Sequence, residues 1–218
     1  YNMYTELGSI LPEFKEQTVL ESWDGEKQAF ATQTAKKKIQ MNQLFTHTSG
    51  IVYPIFTYKG RAGYMKEKII DAFPGENISL EENIKRLAGV PLANEPGEGQ
   101  TYGMNMDVLG RVIEVLDGRP FAKYMREEIF TPLNMKDTGF AVPKNKWDRV
   151  SSVYTTKDGK LSLFDESVFD ERAPNNKPEW WKRNPDKIAL GGAGLISTAI
   201  YYALFLQMLV NGGELDGK

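Results

Sequence analysis

The sequence predicts an α+β fold in which two β-hairpins flank a run of helices. Asp-Gly pairs within residues 23–26 and 157–160 each lie between short strand-like runs, and Gly at such a turn tolerates a positive φ. Between the hairpins, apolar residues recur every three or four positions, which is the helical period. A chain of 218 residues with 41% apolar residues can bury a core.

The first part of the chain predicts a hairpin and two helices. Strands at 18–22 and 28–33 flank the first Asp-Gly turn. Residues 41–47 have the pattern of a short helix, for which Gly50 would be the left-handed cap. Residues 63–73 are also expected to be helical, because this run ends before a proline.

The central part gives the clearest helical signals. Ser79 and Glu82 form a capping box at the start of one helix. The next helix follows a Gly- and Pro-rich loop at 91–101 and is expected to end at Gly118, while Pro120 suits the first turn of a third helix. The apolar stripe of the second helix consists of Met106, Leu109, Ile113 and Leu116.

The last part predicts a second hairpin, a long loop and a final helix. Strands at 150–155 and 161–164 flank the second Asp-Gly pair, and residues 165–187 are expected to form a loop. The apolar run at 199–210 predicts a buried helix with Ser197 as its N-cap and a stop at Gly212.

Composition excludes several classes of function. Lys plus Arg number 27 against 29 Asp plus Glu, so the chain has no electrostatic footprint for nucleic acid or an anionic membrane. No run reaches the roughly 18 apolar residues of a membrane span, and no signal peptide is recognisable. With no cysteine and a single histidine, His47, the composition excludes thiolate and histidine-rich metal sites, and no cofactor is implied.

The motif at 44–50 places Ser49 two residues after His47. A nucleophile and base is one interpretation, but no Gly-x-Ser-x-Gly turn surrounds Ser49, and near neighbours in sequence rarely face each other correctly. We favour the other interpretation, in which the motif is the end of a helix and its Thr and Ser hydroxyl groups form hydrogen bonds to backbone groups that lack a partner within the helix.

Tyr102 precedes the clearest helix, within the run Tyr102-Gly103-Met104-Asn105. At a loop–helix junction its phenol can project into a cleft, although an ordinary pKa of about 10 makes it a poor base without nearby cations. The alternative is a packed ring with a hydrogen-bonded hydroxyl group.

Two further motifs have competing interpretations. The Gly192-x-Gly194 turn suggests a dinucleotide site, but a third glycine is missing, so close packing against a helix is favoured. The pair Trp180 and Trp181 indicates either a pocket wall or a small apolar cluster beneath the long loop.

The order of these motifs along the chain resembles the serine β-lactamase-related family, which includes class C β-lactamases, DD-peptidases and family VIII esterases. The resemblance implies an α/β sandwich with a helical subdomain, at about 40–140, and a return to the α/β part at 141–218. The matching segments are residues 44–50, 96–97, 102, 107–114, 118–121, 129–140, 191–198 and 211–217.

The resemblance implies acyl transfer to water through an acyl-enzyme. In the family, a serine of a Ser-x-x-Lys motif attacks an ester, amide or lactam, and the lysine and a tyrosine of a Tyr-x-Asn motif move the proton. Neither Ser-x-x-Lys nor the family's C-terminal Lys/His-x-Gly strand is recognisable here. We therefore expect the chain to be the central portion of one such domain, with its nucleophile elsewhere.

Carried onto this sequence, the resemblance makes Tyr102 the catalytic base. It places Met104 and Asn105 on the substrate side, with Trp180 and Trp181 and the turn at Gly191 and Gly192 bordering the pocket. Met104 stands where the family has the asparagine of Tyr-x-Asn, and it cannot donate a hydrogen bond, which favours an esterase over a β-lactamase.

The expected partner is a small ester, amide or lactam, with β-lactamase, esterase and peptidase activities all open. The alternative is a non-catalytic binding or scaffolding protein with the same fold. Family members are often periplasmic or secreted, and the sequence leaves compartment and oligomeric state open.

Overall fold

The computed structural model describes residues 1–24, 29–53, 66–72, 78–157, 159–164, 179–182 and 188–217. Its regular elements are β1 (Thr18–Asp24), β2 (Ala29–Thr34), α1 (Met41–Phe45), α2 (Leu80–Ala88), α3 (Asn105–Asp117), α4 (Phe121–Met125), β3 (Tyr154–Lys157), β4 (Lys160–Leu163) and α5 (Ala199–Val210). Short 3₁₀ turns lie at Leu7–Ser9, Pro12–Phe14, Lys144–Arg149 and Trp180–Lys182, and a π turn at Arg126–Phe130 continues α4.

Both predicted hairpins are confirmed as antiparallel strand pairs. Thr18 pairs with Thr34 in the first hairpin, which contains a bulge near Leu20, and its turn at 25–28 lies outside the described residues. In the second hairpin Lys157 pairs with Lys160, and Gly159 has a φ of 72°. A glycine is needed there because side chains rarely adopt that conformation.

The two central helices also form as the local signals predict. The Ser79 hydroxyl oxygen accepts a hydrogen bond from the Glu82 backbone N–H at 3.0 Å, which caps α2. Helix α3 ends at Asp117, and Gly118 follows in the left-handed region with a φ of 84°. Such local capping fixes where each helix begins and ends.

Two helix boundaries differ from prediction because another residue satisfies the end of the helix. Helix α1 stops at Phe45, and the first left-handed residue is His47, with a φ of 54°, ahead of Gly50 at 86°. The N-cap of α5 is Thr198, whose hydroxyl oxygen accepts from the Tyr201 N–H at 3.2 Å. The Ser197 hydroxyl group instead lies 2.7 Å from that of Thr138.

Two other predictions fall partly outside the described residues. Of the helix predicted at 63–73, only 66–72 are described, and Ile69–Ala72 contain no helical turn, with a φ of 46° at Ala72. Of the loop predicted at 165–187, only 179–182 are described, and the Trp180–Lys182 segment is a 3₁₀ turn.

The principal core joins the N-terminal turns, β1, α2, α3 and a buried run at 188–190. Its most deeply buried members include Leu7, Phe14, Leu44, Ile84, Met104, Val108 and Leu190. A second cluster forms around Phe130, Leu133 and Met135, against which α5 packs through Tyr201, Phe205 and Met208. Burial of these side chains is the main source of stability.

Helix α5 is not buried, contrary to the prediction. None of its residues is buried, and Ile200 and Val210 are 73% and 81% exposed. The helix is apolar all round but contacts neighbours on one side only. Within the described part of the chain, no helix has the length and apolar character needed to span a bilayer.

We predict that Ile84→Ala lowers the free energy of unfolding by about 2 to 5 kcal/mol, because the fully buried side chain would leave a cavity. Urea unfolding followed by circular dichroism measures the change. The control is Val115→Ala on α3, where the side chain is 41% exposed and a loss below about 1 kcal/mol is expected. Equal losses for the two variants would contradict this account of the core.

Candidate active site

Tyr102 lies at the end of the loop that precedes α3, and its ring contacts two other aromatic rings. The ring centroid of His47 is 4.6 Å away and that of Tyr53 is 5.5 Å away. Tyr102 is nevertheless 56% exposed. The site therefore presents an accessible phenol on a ring that two neighbours restrain.

His47 is held by two donors that face one of its ring nitrogens. The Asn105 side-chain nitrogen lies 2.9 Å from His47 Nδ1, and the Gly103 backbone N–H donates to the same atom at 3.4 Å. Since both partners are donors, Nδ1 acts as the acceptor and the imidazole is neutral. Burial also lowers the pKa of His47 below its usual value.

Ser49 forms hydrogen bonds to the backbone and to Asn105, and the bond to the backbone agrees with the favoured interpretation of this motif. Its hydroxyl group donates to Asn105 Oδ1 at 2.5 Å and accepts from the Ile51 N–H at 3.1 Å. The side chain is completely buried. Ser49 is therefore a structural hydroxyl group that orients the amide which in turn holds His47.

Gly103 brings the Tyr102 loop against the segment after Ser49. A Cβ at Gly103 would lie 2.0 Å from the Ile51 carbonyl oxygen, so only glycine permits this approach. The close contact fixes the backbone on the C-terminal side of Tyr102. Together with the aromatic contacts, it sets where the phenol points.

A buried carboxylate links Tyr53 to the Gly191–Gly192 turn. The Tyr53 hydroxyl group donates to Asp107 Oδ2 at 3.1 Å, and the Gly192 backbone N–H donates to Oδ1 at 3.2 Å. Burial of Asp107 raises its pKa to about 6, although these hydrogen bonds oppose the rise. Burial, and then the charge of Asp107, raise the pKa of Tyr53, so that phenol stays protonated.

The glycine turn packs directly on the start of α3, which precedes it in the chain. A Cβ at Gly191 would lie 2.0 Å from the Met106 carbonyl oxygen. A Cβ at Gly192 would lie 2.3 Å from the Tyr53 hydroxyl oxygen and 2.8 Å from Asp107 Oδ2. A side chain at Gly191 would displace the backbone of α3, and one at Gly192 would displace the carboxylate network.

Met104 and Asn105 lie at the start of α3 and are completely buried. Met104 belongs to the apolar core, and Asn105 bonds to both Ser49 and His47. Their expected contact with substrate stays a prediction. Asn105 acts by orienting its neighbours.

Of the two tryptophans, only Trp181 has a described side chain. Trp181 borders a separate cleft with Leu195 and Ile196, to which Tyr102 does not contribute. The Trp180 side chain lies outside the described residues. The structure thus brings Tyr102, Asn105 and Gly192 together and leaves Trp181 elsewhere.

Sequence reasoning missed Tyr53 and Asp107 as members of this site. The signal for Asp107 is an acidic residue three positions after Met104, on the side of α3 that faces the core. Tyr53 carries no local signal. Across the described segments, no three His, Asp or Glu side chains are grouped as ligands for a metal ion.

Comparison with known families identifies the class of protein to which this α+β fold belongs. Residues 16–218 match the model of the Beta-lactamase family. The chain belongs to this family, and the predicted β-lactamase/transpeptidase-like fold is confirmed.

Relatives include esterases. Esterase EstB of Burkholderia gladioli is 37% identical over 102 residues, which cover 47% of this chain and 26% of EstB. Lovastatin esterase of Penicillium rubens is 30% identical over 214 residues, covering 96% of this chain and 49% of the esterase. The chain spans about half the length of several of the relatives it matches.

A solved structure confirms the fold across the whole chain. EstCE1, described as a hydrolase with promiscuous acyltransferase activity, superposes with a TM-score of 0.78 at 22% identity. The alignment covers 99% of this chain and 54% of EstCE1.

We predict that Asp107→Asn changes how stability depends on pH. The folded pKa of about 6 lies above the ordinary 3.8, so the stabilising contribution of neutral Asp107 is present below about pH 4 and is lost as the pH rises through 6. Relative to the wild type, the variant should therefore gain about 3 kcal/mol between pH 4 and pH 7.5, measured by urea unfolding.

The matched control is Asp117→Asn. Arg119 lowers the pKa of Asp117, so this exposed variant should lose rather than gain relative stability as the pH rises. A stability difference between Asp107→Asn and the wild type that is constant with pH would contradict the proposed state of the carboxyl group.

Proposed function

We propose that this chain belongs to a serine hydrolase that cleaves an ester, with Tyr102 as the proton-transferring base. The observation that carries the proposal is the exposed side chain of Tyr102, whose ring contacts the rings of His47 and Tyr53. The chain that presents it belongs to the Beta-lactamase family. A general base must be accessible to the substrate and must be held in a fixed position. The exposure of Tyr102 meets the first requirement, and the two ring contacts meet the second.

The proposed nucleophile is a serine of a Ser-x-x-Lys segment outside these residues. Ser49 is buried and engaged with Asn105, and it has no path to a substrate. The serine hydroxyl group would lose its proton to the Tyr102 phenolate as its oxygen attacks the carbonyl carbon. The proton would then pass to the leaving alcohol, and water would release the acid from the acyl-enzyme in a second, equivalent step.

The motif lysine would supply the cation that keeps Tyr102 ionised. A positive charge within about 4–6 Å favours a phenolate over a phenol. Tyr53 is unsuited to the same role, since burial and the charge of Asp107 both keep its proton in place. Of these two neighbouring tyrosines, only Tyr102 combines exposure with a restrained ring.

Ester substrates are favoured over lactams for two reasons. EstB and lovastatin esterase are esterases among the relatives, and EstCE1 is a hydrolase. In addition, Met104 occupies the third position of the tyrosine motif and is buried, so it offers no hydrogen bond to a substrate amide. The alternative function is a non-catalytic binding protein with the same fold.

We predict that Tyr102→Phe in a protein carrying this chain and the Ser-x-x-Lys segment lowers kcat for a p-nitrophenyl ester by about 10²- to 10⁴-fold, because it removes the acid–base group. The matched control is Tyr202→Phe on α5, where the side chain is similarly exposed and the rate should stay within about twofold. A Tyr102→Phe enzyme with the wild-type rate would rule out the role.

We also predict that a fluorophosphonate reagent labels the complete protein that carries this chain once, on a serine other than Ser49. Labelling requires an activated hydroxyl group, which the hydrolase has and a binding protein lacks. Mass spectrometry of the labelled peptide identifies the residue. A folded protein that takes up no label would support the binding alternative instead.

A further inference from the structure

A cleft of about 730 Å³ lies apart from Tyr102, between the segment after α4 and the strand-like segment before α5. Its volume is in the range of small-molecule sites. Tyr102, His47, Tyr53 and Asp107 do not line it. The role proposed for Tyr102 therefore does not account for this cleft.

The floor of the cleft is apolar and its walls are braced by hydrogen bonds. Phe130, Val142, Trp181 and Ile196 contribute apolar or aromatic surface. Gly139 and Ile196 exchange two backbone hydrogen bonds of 3.0 and 2.8 Å, and the Val142 N–H donates to the Trp181 carbonyl oxygen at 2.8 Å. A ligand would therefore enter a largely formed site, with little ordering to bring about.

Four cations and one carboxylate line the same cleft. Arg149 lies 2.8 Å from Asp137, and Lys146 also bonds to that carboxylate. The bonds from Lys146, and then from Arg149, lower the pKa of Asp137, so its charge is present at neutral pH. With Arg126 and Lys136 included, the cleft carries an excess of three positive charges.

Arg126 and Lys136 are the cations available to a ligand. Within the described ranges, neither side chain makes an ion pair or hydrogen bond, whereas Lys146 and Arg149 share Asp137. The whole chain has a net charge of -2, so this local excess is not a general property of its surface. Clefts lined by one sign of charge concentrate ligands of the opposite sign.

We propose that this cleft is a second ligand site, which binds an amphiphilic carboxylate. The apolar body would lie against Phe130, Val142 and Trp181, and the carboxylate would accept charge-assisted hydrogen bonds from Arg126 and Lys136. A neutral apolar ligand would leave the two cations unused, and a cationic ligand would be repelled. The proposal does not depend on the role of Tyr102.

The test is a fluorescence titration with 11-(dansylamino)undecanoate, performed on the complete protein that carries this chain. The double variant Arg126→Gln/Lys136→Gln should weaken binding by about tenfold or more, since it removes both charged donors. Lys144→Gln is the control, because Lys144 is exposed in the neighbouring 3₁₀ turn but does not line the cleft. Its affinity should stay within about twofold of the wild type.

Competition experiments show whether the cleft recognises the carboxylate of a ligand or only its apolar chain. Dodecanoate should displace the probe at concentrations where dodecanol and dodecyltrimethylammonium do not. The Tyr102→Phe variant should bind the probe as the wild type does, which distinguishes this site from the proposed active site. Unchanged affinity in the double variant, or equal displacement by all three competitors, would overturn the proposal.

Discussion

The buried carboxylate of Asp107 is the interaction on which the geometry of the site depends. It accepts hydrogen bonds from the Tyr53 hydroxyl group at 3.1 Å and from the Gly192 backbone N–H at 3.2 Å. These bonds join three segments that are distant in sequence. An ionised carboxylate without partners would be too costly to bury. The two donors reduce that cost and at the same time fix Tyr53 and the glycine turn relative to α3.

The position of Tyr102 follows from this buried arrangement. The Tyr102 ring contacts that of Tyr53, which is held by Asp107, and that of His47, which is held by Asn105 and Gly103. His47 is neutral because donors face its Nδ1 atom, so it adds no charge to the site. Tyr102 thus remains 56% exposed while Tyr53 and Asn105 are buried, which suits a group that exchanges protons with a substrate.

Features determined by neighbours in sequence could be predicted, and features determined by distant contacts could not. The Ser79 N-cap of α2, the strands around both Asp-Gly turns and the end of α3 at Asp117 depend on local hydrogen bonds and φ preferences. By contrast, the Tyr53–Asp107 bond joins residues 54 positions apart, which no local spacing encodes. Burial of Met104 and Asn105 was missed for the same reason, since it depends on what packs over the first turn of α3.

The central claim, that Tyr53 positions Tyr102, is tested most directly by a double-mutant cycle on ester hydrolysis in the complete protein. Tyr53→Phe removes the hydrogen bond to Asp107, so kcat should fall by about tenfold while Tyr102 is present. In the Tyr102→Phe background, the same change should have almost no further effect, because no phenol remains to be positioned. An equal fall in both backgrounds would contradict the account, since Tyr53 would then act independently of Tyr102.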